Sequence, residues 1–293
     1  MMSERILITG GTGFIGSALH QHLIAQDKQI TVITRPGSTR TSPPGMNITW
    51  TGDTARLIQQ VAEVQPDLVF HLATNFIAHH ETSDLPELID SNVTFGTAVL
   101  EASWKSGAPV VLTGTAWQHF EGAVYHPVSL YAATKQALLD IAVFYAHEGL
   151  DVRELTLFDT YGPNDPRRKL VPLLLEAAAT GASLDMSSGN QLIDLLYVTD
   201  VVEALLQTAQ LPASDTPVVQ QFVARSEGPV TIRQLVEVVE EVVGLRMGVE
   251  WGKRADRPRE MRTNWEFGQS LPGWSPTVDL SSGIRNCWMA RHA

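Results

Sequence analysis

Short apolar runs alternate with longer amphipathic ones from the start of the chain. Arg5-Ile6-Leu7-Ile8 reads as a buried strand, and Phe14, Ile15, Ala18, Leu19, Leu23 and Ile24 then recur at helical spacing. Further strands are predicted over Gln29–Thr34, Asn47–Thr51, Asp67–Leu72, Ala108–Thr113 and Asp151–Phe158. Helical spacing covers Thr54–Val64, Leu85–Ser106 and Leu130–His147 between them. Strands separated by helices need crossover connections, and right-handed crossovers build a doubly wound parallel sheet. After Gly162-Pro163 the alternation breaks. Helices near Leu170–Thr180 and Ile232–Val243, a segment Asp194–Ala209 and a strand near Gln221–Ala224 read as a smaller lobe. The expected division is a cofactor-binding domain over 1–162, with return segments from the C-terminal half, and mainly a substrate-binding lobe over 163–293. No Gly/Ser linker separates the two, so the lobe is expected to pack over the sheet ends as a lid.

Composition narrows the class. At 293 residues and 44% hydrophobic, the chain can bury a substantial core. A formal charge of −11 argues against a nucleic-acid or anionic-membrane surface. Cys287 is the single cysteine, which excludes an internal disulfide framework and suits a reducing compartment. Met1 to Arg5 runs straight into a strand and no apolar run reaches membrane-spanning length, so a cytoplasmic protein is expected.

In a doubly wound sheet, ligands gather at the carboxyl ends of the strands, and this chain places its unusual residues there. Gly10, Thr12, Gly13, Phe14, Ile15 and Gly16 form a glycine-rich strand-to-helix turn. Glycine permits a tight turn and close ligand approach, and the helix beyond aims unpaired N–H groups at the gap. A Rossmann-type dinucleotide-binding fold follows. An acid ending the second strand would bond a ribose 2′-hydroxyl. Here Thr34-Arg35-Pro36-Gly37-Ser38-Thr39-Arg40 holds no acid, and Arg35, Ser38 and Arg40 favour the 2′-phosphate of NADP(H) over NAD(H). Asp53 is placed to meet the adenine edge, and Thr54, Leu72, Ala73, Thr74 and Thr113 are expected along the same cofactor cleft.

Tyr131 and Lys135 are four residues apart on a predicted helix and share one face. A cation beside a phenol lowers its pKa, making Tyr131 a general acid/base for a carbonyl or alcohol. Thr115, just past a strand, can offer a hydroxyl to the same oxygen. His79-His80-Glu81 has no second cluster at ligand spacing, so no metal is expected.

Together, Thr9-Gly10-x-x-Gly13-x-x-Gly16, His71-Leu72-Ala73, Asn92-Val93-Thr94-Phe95-Gly96-Thr97, Thr115, Tyr131/Lys135, Phe158-Asp159-Thr160-Tyr161-Gly162-Pro163 and Tyr197-Val198-Thr199-Asp200-Val201 carry a resemblance. The chain resembles the extended short-chain dehydrogenase/reductases that act on nucleotide sugars. Within them it is most similar to the branch of CDP-abequose and CDP-paratose synthases, NADPH-dependent 4-ketoreductases of deoxyhexose biosynthesis. The resemblance implies Tyr131 as proton donor, Lys135 on the nicotinamide ribose, Thr115 on the sugar 4-oxygen and Gly10 to Gly16 on the pyrophosphate. It implies a substrate pocket drawn from Asn75, Thr115, Trp117, Gln118, His119, Asp159, Tyr161, Arg168, Lys169, Arg254 and Arg257. It also implies a homodimer through a four-helix bundle of the two long helices.

Three departures bear on the reaction. Ala116-Trp117 follow Thr115 where the family's dehydratases carry an acidic pair, Cys287 lies off any epimerase acid/base motif, and Arg35 stands where 4-epimerases usually have an acid. Ile193 occupies a position where many members have an arginine for the diphosphate, which leaves Arg167, Arg168, Lys169 or the Arg254/Arg257 cluster to supply that charge. The expected function is NADPH-dependent reduction of a nucleotide-linked 4-keto-6-deoxy or dideoxy hexose. The alternatives are a 4-epimerase with bound NAD(P), a reductase of a non-nucleotide ketone, and a non-catalytic NADP(H)-binding redox sensor.

Overall fold

Each buried apolar run becomes a strand of one parallel sheet, and each amphipathic run becomes a helix laid on it. A computed structural model describes residues 4–36, 45–256 and 259–292; Ser38, Arg40 and Arg257 lie outside the described residues. In chain order the elements are β1 (Arg5–Thr9), α1 (Phe14–Ala25), β2 (Gln29–Thr34), β3 (Met46–Thr49), α2 (Thr54–Val64), β4 (Leu68–His71), α3 (Leu85–Ile89) and α4 (Phe95–Ser106). Then come β5 (Val110–Thr115), α5 (Leu130–His147), β6 (Val152–Leu157), β7 (Asp159–Tyr161), α6 (Leu170–Thr180), β8 (Leu184–Asp185), β9 (Leu192–Ile193) and β10 (Leu195–Tyr197). The chain ends with α7 (Val198–Gln210), β11 (Gln220–Ala224), β12 (Val230–Thr231), α8 (Ile232–Val243), β13 (Val249–Glu250) and α9 (Leu280–His292).

The seven-stranded sheet has the order β11-β6-β5-β4-β1-β2-β3, and every pairing in it is parallel. Strand order reverses between β1 and β4, which opens a crevice at their carboxyl ends. One core layer packs the sheet against α2, α4 and α5 through Leu7, Val69, Val110, Leu100 and Leu138. The other packs it against α1 and α7 through Ile6, Ile8, Leu19, Phe70 and Val201. A third cluster unites α6, α8 and α9 through Val171, Leu174, Leu235, Val239 and Ile284. The second half of the chain therefore builds its own core and also returns α7 and β11 to the sheet.

The predicted helix over 85–106 is interrupted. Residues Asp90–Thr94 form a π-helical turn between α3 and α4. Asn92 sits in it with a buried side chain, its Nδ2 donating to the Asn75 carbonyl at 3.0 Å and to Thr134 Oγ1 at 3.0 Å. Its Oδ1 accepts from the Asn75 amide at 2.7 Å and from Thr74 Oγ1 at 3.1 Å. One widened turn thus fastens the exit of β4 to the first turn of α5. At that first turn Ser129 caps α5, its side chain accepting the Ala132 amide.

Candidate active site

Three strand ends converge on the crevice. β1 leads into Gly10, whose φ of +72° is a left-handed conformation that glycine takes without strain. A Cβ there would lie 2.7 Å from the Ala73 nitrogen, and one on Gly16 would overlap the Gly10 carbonyl oxygen. Gly13 caps α1 without a side-chain hydrogen bond, and no acid stands in the first turn of that helix. Such an end offers backbone donors and the positive pole of the helix dipole, so it fits a pyrophosphate. Thr12 sits in the turn, Phe14 and Ile15 begin α1, and Ile15 packs against the α1/α7 layer. Behind the turn, the Ala73 amide donates to Thr9 Oγ1 at 3.1 Å, and the Leu72 amide to the Thr9 carbonyl at 3.2 Å.

Just past the end of β2, Arg35 is exposed, with Nη1 3.1 Å from Glu87 Oε1 on α3. Asp53, expected at the adenine edge, uses its carboxylate as the cap of α2, accepting the Arg56 amide at 3.1 Å just ahead of Thr54.

Tyr131 and Lys135 project from the first two turns of α5, and both are buried. The hydroxyls of Thr74 and Thr115 stand beside the Tyr131 phenol, where both favour its ionised form. Thr115 ends β5, and its Oγ1 also accepts the Trp117 amide at 3.3 Å. Lys135 Nζ donates to Thr113 Oγ1 at 3.5 Å. The expected lowering of the Tyr131 pKa is corrected here. Burial pushes the phenol up to about 12, with Asp159 adding to the rise and Arg167 and the two threonines opposing it. Burial likewise pushes Lys135 down to about 8. In this enclosed setting, loss of hydration outweighs every nearby charge.

Beside the phenol stands an aromatic wall. The Phe76 ring meets Tyr131 edge-on at 4.9 Å and Trp117 at 5.3 Å. Lys169 Nζ lies 5.2 Å from the Phe76 ring and pairs with Asp159 Oδ1 at 3.0 Å. Trp117, Tyr131 and Lys169 are thereby gathered around Phe76, with Asp159 held by Lys169 and Thr115 beside the phenol.

Other expected pocket residues are placed elsewhere. Tyr161 is buried in the lobe core, packed on Tyr197, with its hydroxyl on the Leu280 carbonyl. It ends the short strand that Asp159 begins, where its ring is enclosed by α6, α8 and α9. Gln118 is buried beneath its loop, where Oε1 accepts the Thr115 amide at 2.9 Å and Nε2 donates to Gln136. It supports Thr115 from below. His119 stacks on Trp265 at 3.6 Å, with Nδ1 against the Val124 carbonyl at 2.6 Å.

Of the basic candidates, Arg167 is held by Asp165 and the Thr160 carbonyl and lies over the Phe14 ring. Arg168 and Arg254 are exposed. Arg259, from the same charged segment of the sequence as Arg254, has Nε and Nη2 buried without a partner and its guanidinium 5.0 Å from the Phe120 ring. Sequence reasoning passed over Phe76, although that ring directly follows the Ala73-Thr74-Asn75 strand end, and Glu154, a lone acid inside an apolar strand. Among the described residues no group of three or more His, Cys, Asp or Glu is arranged to hold a metal, and no helix is long and apolar enough to cross a membrane.

Comparisons with known proteins bear on the family and the fold. The sequence profile described as "NAD dependent epimerase/dehydratase family" matches residues 6–220. The CDP-abequose synthase of Yersinia pseudotuberculosis is 29% identical over 69% of this chain and 72% of its own. That of Salmonella typhimurium is 24% identical over 97% of each. The crystal structure of UDP-glucose 4-epimerase from Thermotoga maritima with UDP-glucose superposes with a TM-score of 0.86, at 22% identity and 98% coverage of each chain. That likeness establishes the fold.

Proposed function

The chain belongs to the NAD dependent epimerase/dehydratase family, and from that premise we propose that it reduces a nucleotide-linked 4-keto-6-deoxy (or dideoxy) hexose to the 4-hydroxy sugar, using NADPH. Membership makes it an NAD(P)-dependent enzyme of the oxidoreductase type. The observation that carries the reading is the hydroxyl cluster in which Thr74 and Thr115 meet the Tyr131 phenol, with Lys135 one helical turn on.

In this reading Tyr131 donates its proton to the carbonyl oxygen as negative charge develops there. Thr115 gives the same oxygen a hydrogen bond, and the Lys135 ammonium stabilises the phenolate left behind. A phenol pushed up to about 12 is protonated throughout the neutral range, the form a proton donor needs. NADPH, when bound, supplies the hydride. The Gly10–Gly16 turn would hold its pyrophosphate, and Arg35 its 2′-phosphate. Phe76 and Trp117 offer an apolar surface to the C5–C6 end of a deoxy sugar. Ala116 is buried and Trp117 joins the aromatic wall, so the turn after Thr115 carries no carboxylate for dehydration. The two unpartnered guanidinium nitrogens of Arg259 make it our assignment for the substrate diphosphate.

The test is oxidation of NADPH and NADH against CDP-, dTDP-, GDP- and UDP-linked 4-keto-6-deoxy sugars. NADPH consumption with one nucleotide series is expected, with kcat reduced about 10²- to 10⁴-fold in Tyr131→Phe at unchanged NADPH affinity. Silence across the panel with cofactor bound would sink ketoreduction. A 4-epimer formed without net NADPH loss would identify the epimerase instead.

A further inference from the structure

Glu154 occupies a place where a central strand ordinarily carries no charge. Along β6, Leu155 and Leu157 pack into the α1/α7 layer and Val152 into the layer of α2, α4 and α5. Alternation puts Glu154 on the Val152 face, the one that α5 covers. Its side chain is buried, and the surroundings are shaped to it. Thr156 Oγ1 lies 3.0 Å from Oε1 and 3.1 Å from Oε2, and the Gly114 backbone beside the carboxylate favours its ionised form. Gly114 is glycine for a visible reason, since a Cβ there would overlap Glu154 Oε1.

These neighbours supply hydrogen bonds but no positive charge. Glu154 Oε1 abuts Gly114 while Lys135 Nζ reaches Thr113 Oγ1, so the two head groups end at neighbouring residues of β5, and the Lys135 charge opposes the rise of the Glu154 pKa. Lys135 is itself buried, and among the described residues its three ammonium donors find one long hydrogen bond, to Thr113. We propose that Glu154 is the internal counter-ion of Lys135, a positioning residue whose carboxylate holds the lysine as an ammonium beside Tyr131. This assignment's catalytic meaning rests on Tyr131 and Lys135 being the reacting pair proposed above.

The other titratable groups around the pair are accounted for. His71, from β4, is kept neutral because burial and the Lys135 charge push it down to about 3. Asp159 and Arg167 act on Tyr131 with opposite signs. Burial pushes Glu154 up to about 7 and Lys135 down to about 8, and each charge opposes the other's shift. Removing the carboxylate charge leaves burial unopposed and lowers Lys135 further.

The test follows the lysine ε-carbons of the full chain by ¹³C NMR during a pH titration. The lysines are Lys28, Lys105, Lys135, Lys169 and Lys253, and Lys135 is assigned by its loss in Lys135→Arg. In Glu154→Gln the Lys135 midpoint is expected to fall by roughly one pH unit, and in Glu154→Asp by less. Should Glu154→Gln fail to fold, Thr156→Val loosens the carboxylate without removing it, and a smaller fall is expected. An unchanged midpoint in the folded variant would overturn the counter-ion. A shifted midpoint in a protein silent toward every 4-keto sugar would keep the counter-ion and remove the ketoreductase, so the two failures are distinguishable.

Discussion

Arg35 and Glu87 face each other across the ribose end of the cleft, both largely exposed at 60% and 63%. An exposed pair of this kind contributes about 0–1 kcal/mol, so a 2′-phosphate can displace Glu87 at little cost. The guanidinium then gains a charge-assisted hydrogen bond worth about 1.5–3 kcal/mol. In Arg35→Glu the KM for NADPH is therefore expected to rise roughly 10- to 100-fold while that for NADH changes little. Steady-state kinetics with both cofactors checks this, and an unaltered NADPH/NADH ratio would remove Arg35 from the specificity. The fate of Tyr131 and Tyr161 makes a second point at the same scale. One phenol, on α5, stands beside two threonines in the cleft, and the other, on β7, meets a backbone carbonyl in the lobe core, a difference set by the element each stands on and invisible in residue type.

Among elements, the turn between β1 and α1 tolerates the least change. Gly16 lies against the Gly10 carbonyl so closely that an added methyl must displace either the turn or the helix. At Gly13 the same methyl would stop 3.1 Å from that oxygen, a milder contact. Gly16→Ala is expected to lose about 1–3 kcal/mol of stability through overpacking and to weaken NADPH binding, with Gly13→Ala less affected. Thermal melts and fluorescence titration with NADPH measure both effects, and equal behaviour of the two variants would contradict the contact geometry. The spacing of the turn glycines was readable in the sequence because their dihedral demands are local. The π-helical turn was not, since the apolar period runs on through residues 85–106 and only the Asn92 contacts to distant segments mark it.

For the whole molecule, one surface remains to be covered. Phe144 on α5 is 59% exposed and Ile89 on α3 is 45% exposed, with Val143 and Leu85 also exposed on these helices. We propose that these apolar side chains on adjoining helices pack against a second copy of this chain, helix pair against helix pair. Sedimentation is expected to show a dimer, shifted toward monomer in Phe144→Glu. Identical sedimentation of the two proteins would place any self-association elsewhere.

Local information in the sequence was enough for the strand–helix alternation, the glycine turn and the Tyr131/Lys135 spacing, because hydrophobic period and backbone freedom are properties of neighbouring residues. α2, α5, α6 and α8 run over the spans their apolar spacing predicts. Tertiary structure alone decided which groups share a dry space. It set Thr74 and Thr115 on one phenol, buried Tyr161 and Gln118 away from the cleft, returned α7 and β11 to the sheet, and put Glu154 under the influence of Lys135. Desolvation is the physical reason. Whether a phenol is drawn toward neutrality or pushed up to about 12 depends on water excluded by segments far away along the chain, and no local pattern records that.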